Sequence, residues 1–161
     1  IIHGGKVIEN RSRGAIRSGN MDCRTICIHA ASGMAEKEYR WAAWKMAQID
    51  VLIPRPDELV RRALIGTVEV VDIITESDSP WFGGPCGLVL ENPQPLDPVP
   101  AIGELGYFKW QRSGGISQPK PWMLSYDRAN DDPFTADLFP DQEPQFQAPP
   151  EKPFKGYKKD A

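Results

Sequence analysis

The run Gly4-Gly5-Lys6-Val7-Ile8-Glu9-Asn10-Arg11-Ser12-Arg13 holds the densest set of chemistry-capable side chains in this 161-residue chain. Two glycines let a backbone turn sharply and approach a ligand closely. If Val7 to Arg11 is extended, then Val7, Glu9 and Arg11 share one face. That places a carboxylate acceptor beside a planar five-donor guanidinium, and Lys6 adds a compact point charge suited to a phosphate or carbonyl oxygen. Such a set fits nucleotide recognition, with the guanidinium on phosphate and the carboxylate accepting from a base amino group. It fits equally a salt-bridged turn, which at a surface contributes ~0–1 kcal/mol. Trp81 and Phe82 stand in a glycine-rich loop, where an indole either stacks on a base, worth ~1–3 kcal/mol, or caps the fold. Glu69 interrupts an apolar strand face, either as an acid/base group held near Lys6 or as a solvent-facing strand residue. Arg13, Arg17 and Arg24 are the best candidates for phosphate contacts outside the run, with solvation as the plain alternative.

Positioning these groups falls to a small number of elements. Arg24 to Ala30 reads as a short buried strand, broken by Ala31-Ser32-Gly33. Cys27 and His29, two apart on it, are expected to pack together rather than to react, because a free thiol is among the most buried groups. Residues 35–48 lack Gly and Pro, and Tyr39, Ala42, Ala43 and Met46 recur at helical spacing, which predicts a helix with that core face. Pro54 and Pro56 break the chain, and Asp57 is a candidate N-cap for a helical turn over residues 58–62. The longest strand is expected over 63–75, with Val68, Val70 and Asp72 on one face and Glu69, Val71 and Ile73 on the other. A further strand over 86–92 is expected to stop at Pro93 and Pro95, and a last one to cover Leu105 to Trp110. Strands with one helix of several turns predict an α+β domain, a small curled or barrel-like sheet with a helix at one end.

Composition narrows the classes. No stretch nears the ~18 apolar residues of a membrane span, so no membrane association is expected, and the chain is read as cytoplasmic. Three cysteines and two histidines at no zinc-like spacing predict neither metal, nor disulfide, nor cofactor. The net charge of −3 hides a strong asymmetry. Residues 1–30 carry five basic side chains against Glu9 and Asp22, whereas residues 127–151 carry seven acidic ones against Arg128 alone. Eight of the 16 prolines fall in the last 51 residues. From Asp131 the chain is acidic and Pro-rich with isolated aromatics, a composition that buries too little apolar surface to offset its ordering entropy. Residues 111–161 are therefore expected to form an extended arm, with Trp122 to Tyr126 packing on the domain and the spaced aromatics of the remainder filling pockets on the domain or on a protein partner. The start, Ile1-Ile2-His3, lacks a Met, and a preceding segment is expected to be missing.

The Gly-Lys run also begins a series of motifs. Gly4, Lys6, Glu9 and Arg11 fit a G-x-K-x-x-E-x-R pattern, followed by Ile28-His29-Ala30-Ala31-Ser32-Gly33. Gly66-Thr67-Val68-Glu69-Val70-Val71-Asp72 comes next, then Trp81 to Gly87 with Val89-Leu90-Glu91-Asn92, and finally Pro98, Pro100 and Gly103-Glu104-Leu105-Gly106. In this order, over residues 3–110, the blocks resemble the ASCH domain family (activating signal cointegrator homology) of the PUA-like superfamily. The resemblance implies a PUA-like small β-barrel with flanking helices over residues 1–110, its signature segment lining a cleft proposed to bind RNA. It also implies, for some small members, amidohydrolase action on acetylated cytidine and, for at least one, ribonuclease activity. Lys6 stands at the lysine position of the amidohydrolases, Glu9 replaces their threonine, and Glu69 is the counterpart of their strand glutamate by location.

Three functions follow as expectations. The first is a module binding RNA or another single-stranded or modified nucleic acid through Lys6, Glu9, Asn10, Arg11, Arg13, Trp81 and Phe82. The second is a hydrolase using Lys6 and Glu69 on a modified nucleoside. The third is a protein-interaction module acting through residues 111–161.

Overall fold

The computed structural model describes residues 1–3 and 5–127. Seven elements follow in order: β1 (Ile8–Arg11), α1 (Arg13–Ser18), β2 (Thr25–Ala30), α2 (Glu36–Ala47), β3 (Ala63–Ile74), β4 (Cys86–Pro100) and α3 (Pro121–Leu124). The four strands make one antiparallel sheet in the order β1-β4-β3-β2, curled into a half-barrel. The domain is thus α+β, as expected. Among the described residues the sheet does not close into a barrel: β1 and β2 are its two edges and do not pair with each other.

The inner face of the curl holds the core. Val68 and Val70 of β3 and Leu88 and Leu90 of β4 are buried there with Met21, and Ile1, Ile2, Ile16, Ile26, Ile28 and Ile73 pack against them. The expected alternation on β3 holds for Val68 and Val70 and then slips. A register shift between Val70 and Asp72 inserts one residue, so Ile73 pairs with Leu88 and turns inward, while Asp72 is exposed and its carboxylate accepts from the Ile73 N–H at 2.7 Å. A bulge of this kind bends the strand and tightens the local twist.

The prolines do not stop β4. The strand continues through Pro93, Pro95, Pro98 and Pro100, paired to β3 as far as Ala63. β1 covers only residues 86–89 of β4. Beyond them, among the described residues, β4 has β3 on one side alone, and on such a free edge a missing N–H costs no ladder bond. The extra residues on β4 are absorbed as register shifts near Asn92, which takes a positive φ of 50°, and between Pro95 and Val99.

Helix α2 matches its expected span, with a core stripe of Tyr39, Ala43 and Ala47; Ala42 and Met46 are only half buried. The Glu38 carboxylate accepts from the Ala35 N–H at 2.9 Å, satisfying one open donor of the first turn. No helix forms over 58–62. Residues 56–58 make a turn in which the Glu58 carboxylate accepts from the Arg55 N–H at 2.8 Å and Asp57 pairs with Arg55 at 3.1 Å, so both acids are spent locally. Nor is there a strand at 105–110, which runs as an irregular loop.

Residues 111–127 lie against the domain. Arg112 bridges to Ala101, the Ser117 N–H donates to Arg61 O at 3.1 Å, and the buried Arg61 guanidinium donates to the carbonyls of Ser117 and Gln118. Trp122 and Tyr126 then pack on Tyr39 of α2, with Tyr126 edge-on at 5.1 Å. This bears out the packing expected for Trp122 to Tyr126. The remainder of the expected arm, 128–161, lies outside the described residues. Among the described residues no helix is long and apolar enough to cross a membrane.

Candidate functional site: the inner face of the half-barrel

Strand β1 is short and pairs with the start of β4 as Ile8↔Val89, Glu9↔Leu88, Asn10↔Gly87 and Arg11↔Cys86. Residues paired across an antiparallel ladder share a face. Glu9 and Arg11 therefore lie on the inner face with Leu88, and Ile8 and Asn10 on the outer. The outer assignment has independent support: a Cβ added to Gly87 would meet both Ile8 and Phe82, at 2.6 and 3.1 Å.

On the inner side, the Glu9 carboxylate is held at both oxygens. Lys6 Nζ stands 2.6 Å from Oε2 and Arg11 Nη1 3.0 Å from Oε1. The side chains are 26%, 22% and 41% exposed for Lys6, Glu9 and Arg11 respectively, so the cluster is partly screened by water. Both Glu9 oxygens already have cationic partners, and a base amino group would have to compete with them. The cluster keeps one excess positive charge, and Arg11 carries it toward the cavity.

On the outer side, Asn10 pins the Trp81 loop. Its amide donates to Trp81 O at 2.8 Å, and its carbonyl accepts from the Gly83 N–H at 2.8 Å. Phe82 covers Gly87 where a side chain would otherwise stand. Trp81 and Phe82 are half buried, and neither lines the inner cavity. Six of the seven expected binding residues thus fall into two groups on opposite faces: Lys6, Glu9 and Arg11 come together, while Asn10, Trp81 and Phe82 form a structural clasp behind them. Arg13 opens α1, where it is exposed one residue after Ser12, whose hydroxyl accepts from the Ala15 N–H at 3.1 Å.

Glu69 stands apart from Lys6. It alternates with the inward Val68 and Val70, is exposed, and accepts from the Asn92 amide at 2.9 Å. The carboxylate beside Lys6 is Glu9, so the expected Lys6–Glu69 pair is not assembled.

The inner face opens into a cavity of about 930 Å³. Leu64, Leu88 and Leu90 line it, and so do Glu9 and Arg11. Every residue from Arg24 to His29 lines it. Since alternate strand residues point to opposite faces, an unbroken run means the cavity passes along the open edge of β2 itself. The loop 102–108, carrying Tyr107 and Phe108, also lines it, together with Trp110. Arg62 adds a third arginine to Arg11 and Arg24.

Two side chains hold that loop. His29 Nε2 lies 3.0 Å from Ala101 O, and the imidazole meets Phe108 edge-on at 6.0 Å. Gly103 makes room for the ring, since a Cβ there would come within 2.5 Å of Nδ1. The Tyr107 hydroxyl donates to Asp22 O at 3.0 Å, and Arg24 stacks over the Tyr107 ring at 5.6 Å while its fork pairs with the Asp22 carboxylate. That pairing holds the Asp22 carboxyl below its ordinary range and raises the guanidinium. Burial pushes the Tyr107 phenol above its usual value.

The Cys27–His29 expectation is corrected here. Cys27 is exposed, and a register shift between Ile28 and His29 turns the imidazole toward Ala101 rather than toward the thiol. Among the described residues no three His, Cys, Asp or Glu side chains are placed to hold a metal ion. Sequence reasoning missed Arg62, Tyr107, Phe108 and Trp110 as lining groups. Their signal was the glycine pair Gly103 and Gly106 ahead of closely spaced aromatics, which reads as a loop as readily as a strand. Comparison with protein-family models, with curated proteins and with solved structures finds no match.

Proposed function

We propose that the half-barrel is a nucleic-acid-binding module that takes an unstacked base of RNA, or of another single strand, into the inner cavity. The observation that carries this reading is the composition of the cavity wall. Apolar Leu64, Leu88 and Leu90, the aromatic residues Tyr107, Phe108 and Trp110, and Arg11, Arg24 and Arg62 all line a single space. Single-strand recognition needs a π-face or apolar surface for the base and cations for the phosphates beside it. A volume of about 930 Å³ exceeds what one base fills, leaving room for sugar and phosphate.

Lys6 and Arg11 act here as phosphate-facing cations steadied by Glu9. Arg11 has the greater exposure and the larger unused donor set, so it makes the closer contact. Residues resembling the ASCH signature support the same assignment through the family's proposed RNA cleft.

The test is an equilibrium titration of a labelled single-stranded RNA onto the full chain at several salt concentrations, repeated with Arg11→Ala and Lys6→Ala. Binding should fall linearly on a log–log salt plot, with each substitution shallowing the slope by about 0.7 while far-ultraviolet circular dichroism stays unchanged. Salt-insensitive binding, or none to RNA or single-stranded DNA, would refute the proposal.

A further inference from the structure

Of the arginines that line the cavity, Arg11 and Arg24 already have carboxylate partners. Arg11 pairs with Glu9, and the fork of Arg24 is engaged by Asp22 while its plane stacks over Tyr107. Arg62 differs. Among the described residues its guanidinium makes no ion pair and no hydrogen bond, and neither cavity carboxylate, Glu9 or Glu104, is paired with it. A half-buried guanidinium with its donor fork unused suits a phosphate oxygen.

The backbone at this position presents the side chain. Arg62 has a φ of 59°, in the left-handed region that residues other than glycine rarely occupy. Its N–H donates to Ala30 O at 2.8 Å and its carbonyl accepts from the Ala101 N–H at 3.2 Å, which ties the residue on both sides. Glycine would adopt this conformation with less strain, so the local backbone gives no reason for an arginine. Gly114, itself at a φ of 63°, lies against the guanidinium, since a Cβ there would come within 2.8 Å of Nη2. The fork is seated on bare backbone. Ser32 also lines the cavity, one residue after Ala31, whose carbonyl the Arg62 N–H reaches at 3.3 Å. The Ser32 hydroxyl has no partner among the described residues and is a second donor close by.

The sheet register separates Arg62 from Arg11. Arg11 pairs with Cys86, next to the Ile74–Gly87 pair at the end of β3. Arg62 immediately precedes Ala63, which begins β3 and pairs with Pro100. The 12 residues of β3 lie between these two levels, a length of up to about 36 Å. Even a bend through a right angle leaves most of that length, and one nucleotide cannot reach both arginines. A single strand laid along the cavity can, within the ~4–16 nucleotides that a small single-strand-binding barrel covers.

We infer that Arg62, with Ser32 beside it, is a second phosphate subsite, and that the ligand is a strand of several nucleotides anchored at both Arg11 and Arg62. The inference rests on the proposed function. It narrows the ligand class, because a mononucleotide or a free modified nucleoside leaves one of the two anchors empty.

The experiment titrates a fluorescein-labelled single-stranded RNA of about twelve nucleotides onto the full chain at several salt concentrations. The chains are the parent, Arg11→Ala, Arg62→Gly, Arg62→Lys and the double variant Arg11→Ala with Arg62→Gly. Arg62→Gly removes the side chain and relieves the left-handed backbone, so its urea midpoint should equal or exceed the parent's. Its binding should nevertheless fall about tenfold, with the salt slope shallower by about 0.7. In the double variant the slope should be shallower by about 1.4, because the two arginines neutralise different phosphates. Arg62→Lys keeps the charge without the fork and should restore the slope but not the full affinity. A slope still shallow in Arg62→Lys, or a lowered midpoint in Arg62→Gly, would assign Arg62 to packing and overturn the subsite. A double variant no shallower than either single one would put both arginines on one phosphate and overturn the span. Parent-like binding by Arg62→Gly removes the subsite and leaves the nucleic-acid reading standing, whereas no binding by the parent removes both.

Discussion

Replacing Glu9 with Gln separates a neutralising carboxylate from one that reads a base. In the folded protein Glu9 holds Lys6 at 2.6 Å and Arg11 at 3.0 Å, with all three side chains partly open to water. Exposed pairs contribute ~0–1 kcal/mol each, so Glu9→Gln should lower the unfolding free energy by no more than about 1 kcal/mol. The effect on binding should have the opposite sign. Losing one negative charge leaves two uncompensated cations facing a phosphate in place of one net charge. A unit charge at about 4 Å in water is worth about 1 kcal/mol, roughly a fivefold gain in affinity. The salt slope should steepen by about 0.7, the increment for one further phosphate neutralised on a single strand. Urea unfolding and fluorescence-anisotropy titration of the same preparations measure both quantities. Weaker RNA binding by a well-folded Glu9→Gln, with preference among bases lost, would show that the carboxylate accepts from the base, and the neutralisation argument would fail.

Further outcomes follow from the packing. Gly103→Ala should destabilise the domain by about 2–4 kcal/mol, because the new methyl collides with the His29 ring and the bond to Ala101 is lost with it; an unfolding midpoint unchanged from the parent would contradict the placement of that loop. Arg61→Ala should cost about 3 kcal/mol and expose residues 113–127 to limited proteolysis, since the buried guanidinium is what bonds the Ser117 and Gln118 carbonyls. Tyr107 has its pKa raised by burial, so its contribution to stability is complete below the ordinary tyrosine value and is lost as pH rises through the folded one. Comparing the ultraviolet phenolate titrations of the parent and Tyr107→Phe should show the lost amplitude above about pH 10; lost amplitude at or below that pH would refute the shift.

Where one signal dominated, the fold was legible. The β-branched runs at 25–30 and 63–74 and the helical stripe through Tyr39 and Ala43 each marked their elements within a residue or two. Misreadings came where context overrode a local rule. Proline predicts the end of a strand only if both edges are paired, and β4 loses its second neighbour after residue 90. Helix α1 spans six residues with Gly14 inside it, too short to show a period, and is fixed by the Ser12 cap and by Ile16 packing on the core. The alternation of β3 was right until a bulge, which no pattern of residue types announced, reversed it at Ile73.

The candidate site was legible in half. Glu9 and Arg11 were expected on one face from spacing alone, and they meet there. Asn10, one residue between them, necessarily faces the other way, and with it go Trp81 and Phe82. The cavity's aromatic wall and Arg62 come from segments more than 50 residues distant, brought in by the sheet order and by His29 holding the loop. Sequence spacing carries no information about such an approach.

The most direct measurement of the central claim is photo-crosslinking of a 4-thiouridine-labelled single-stranded RNA to the full chain, mapped by mass spectrometry. Binding in the inner cavity places the crosslinks on Tyr107, Phe108 and Trp110. Crosslinks confined to Trp81 and Phe82 on the outer face, or none at saturating RNA, would contradict it.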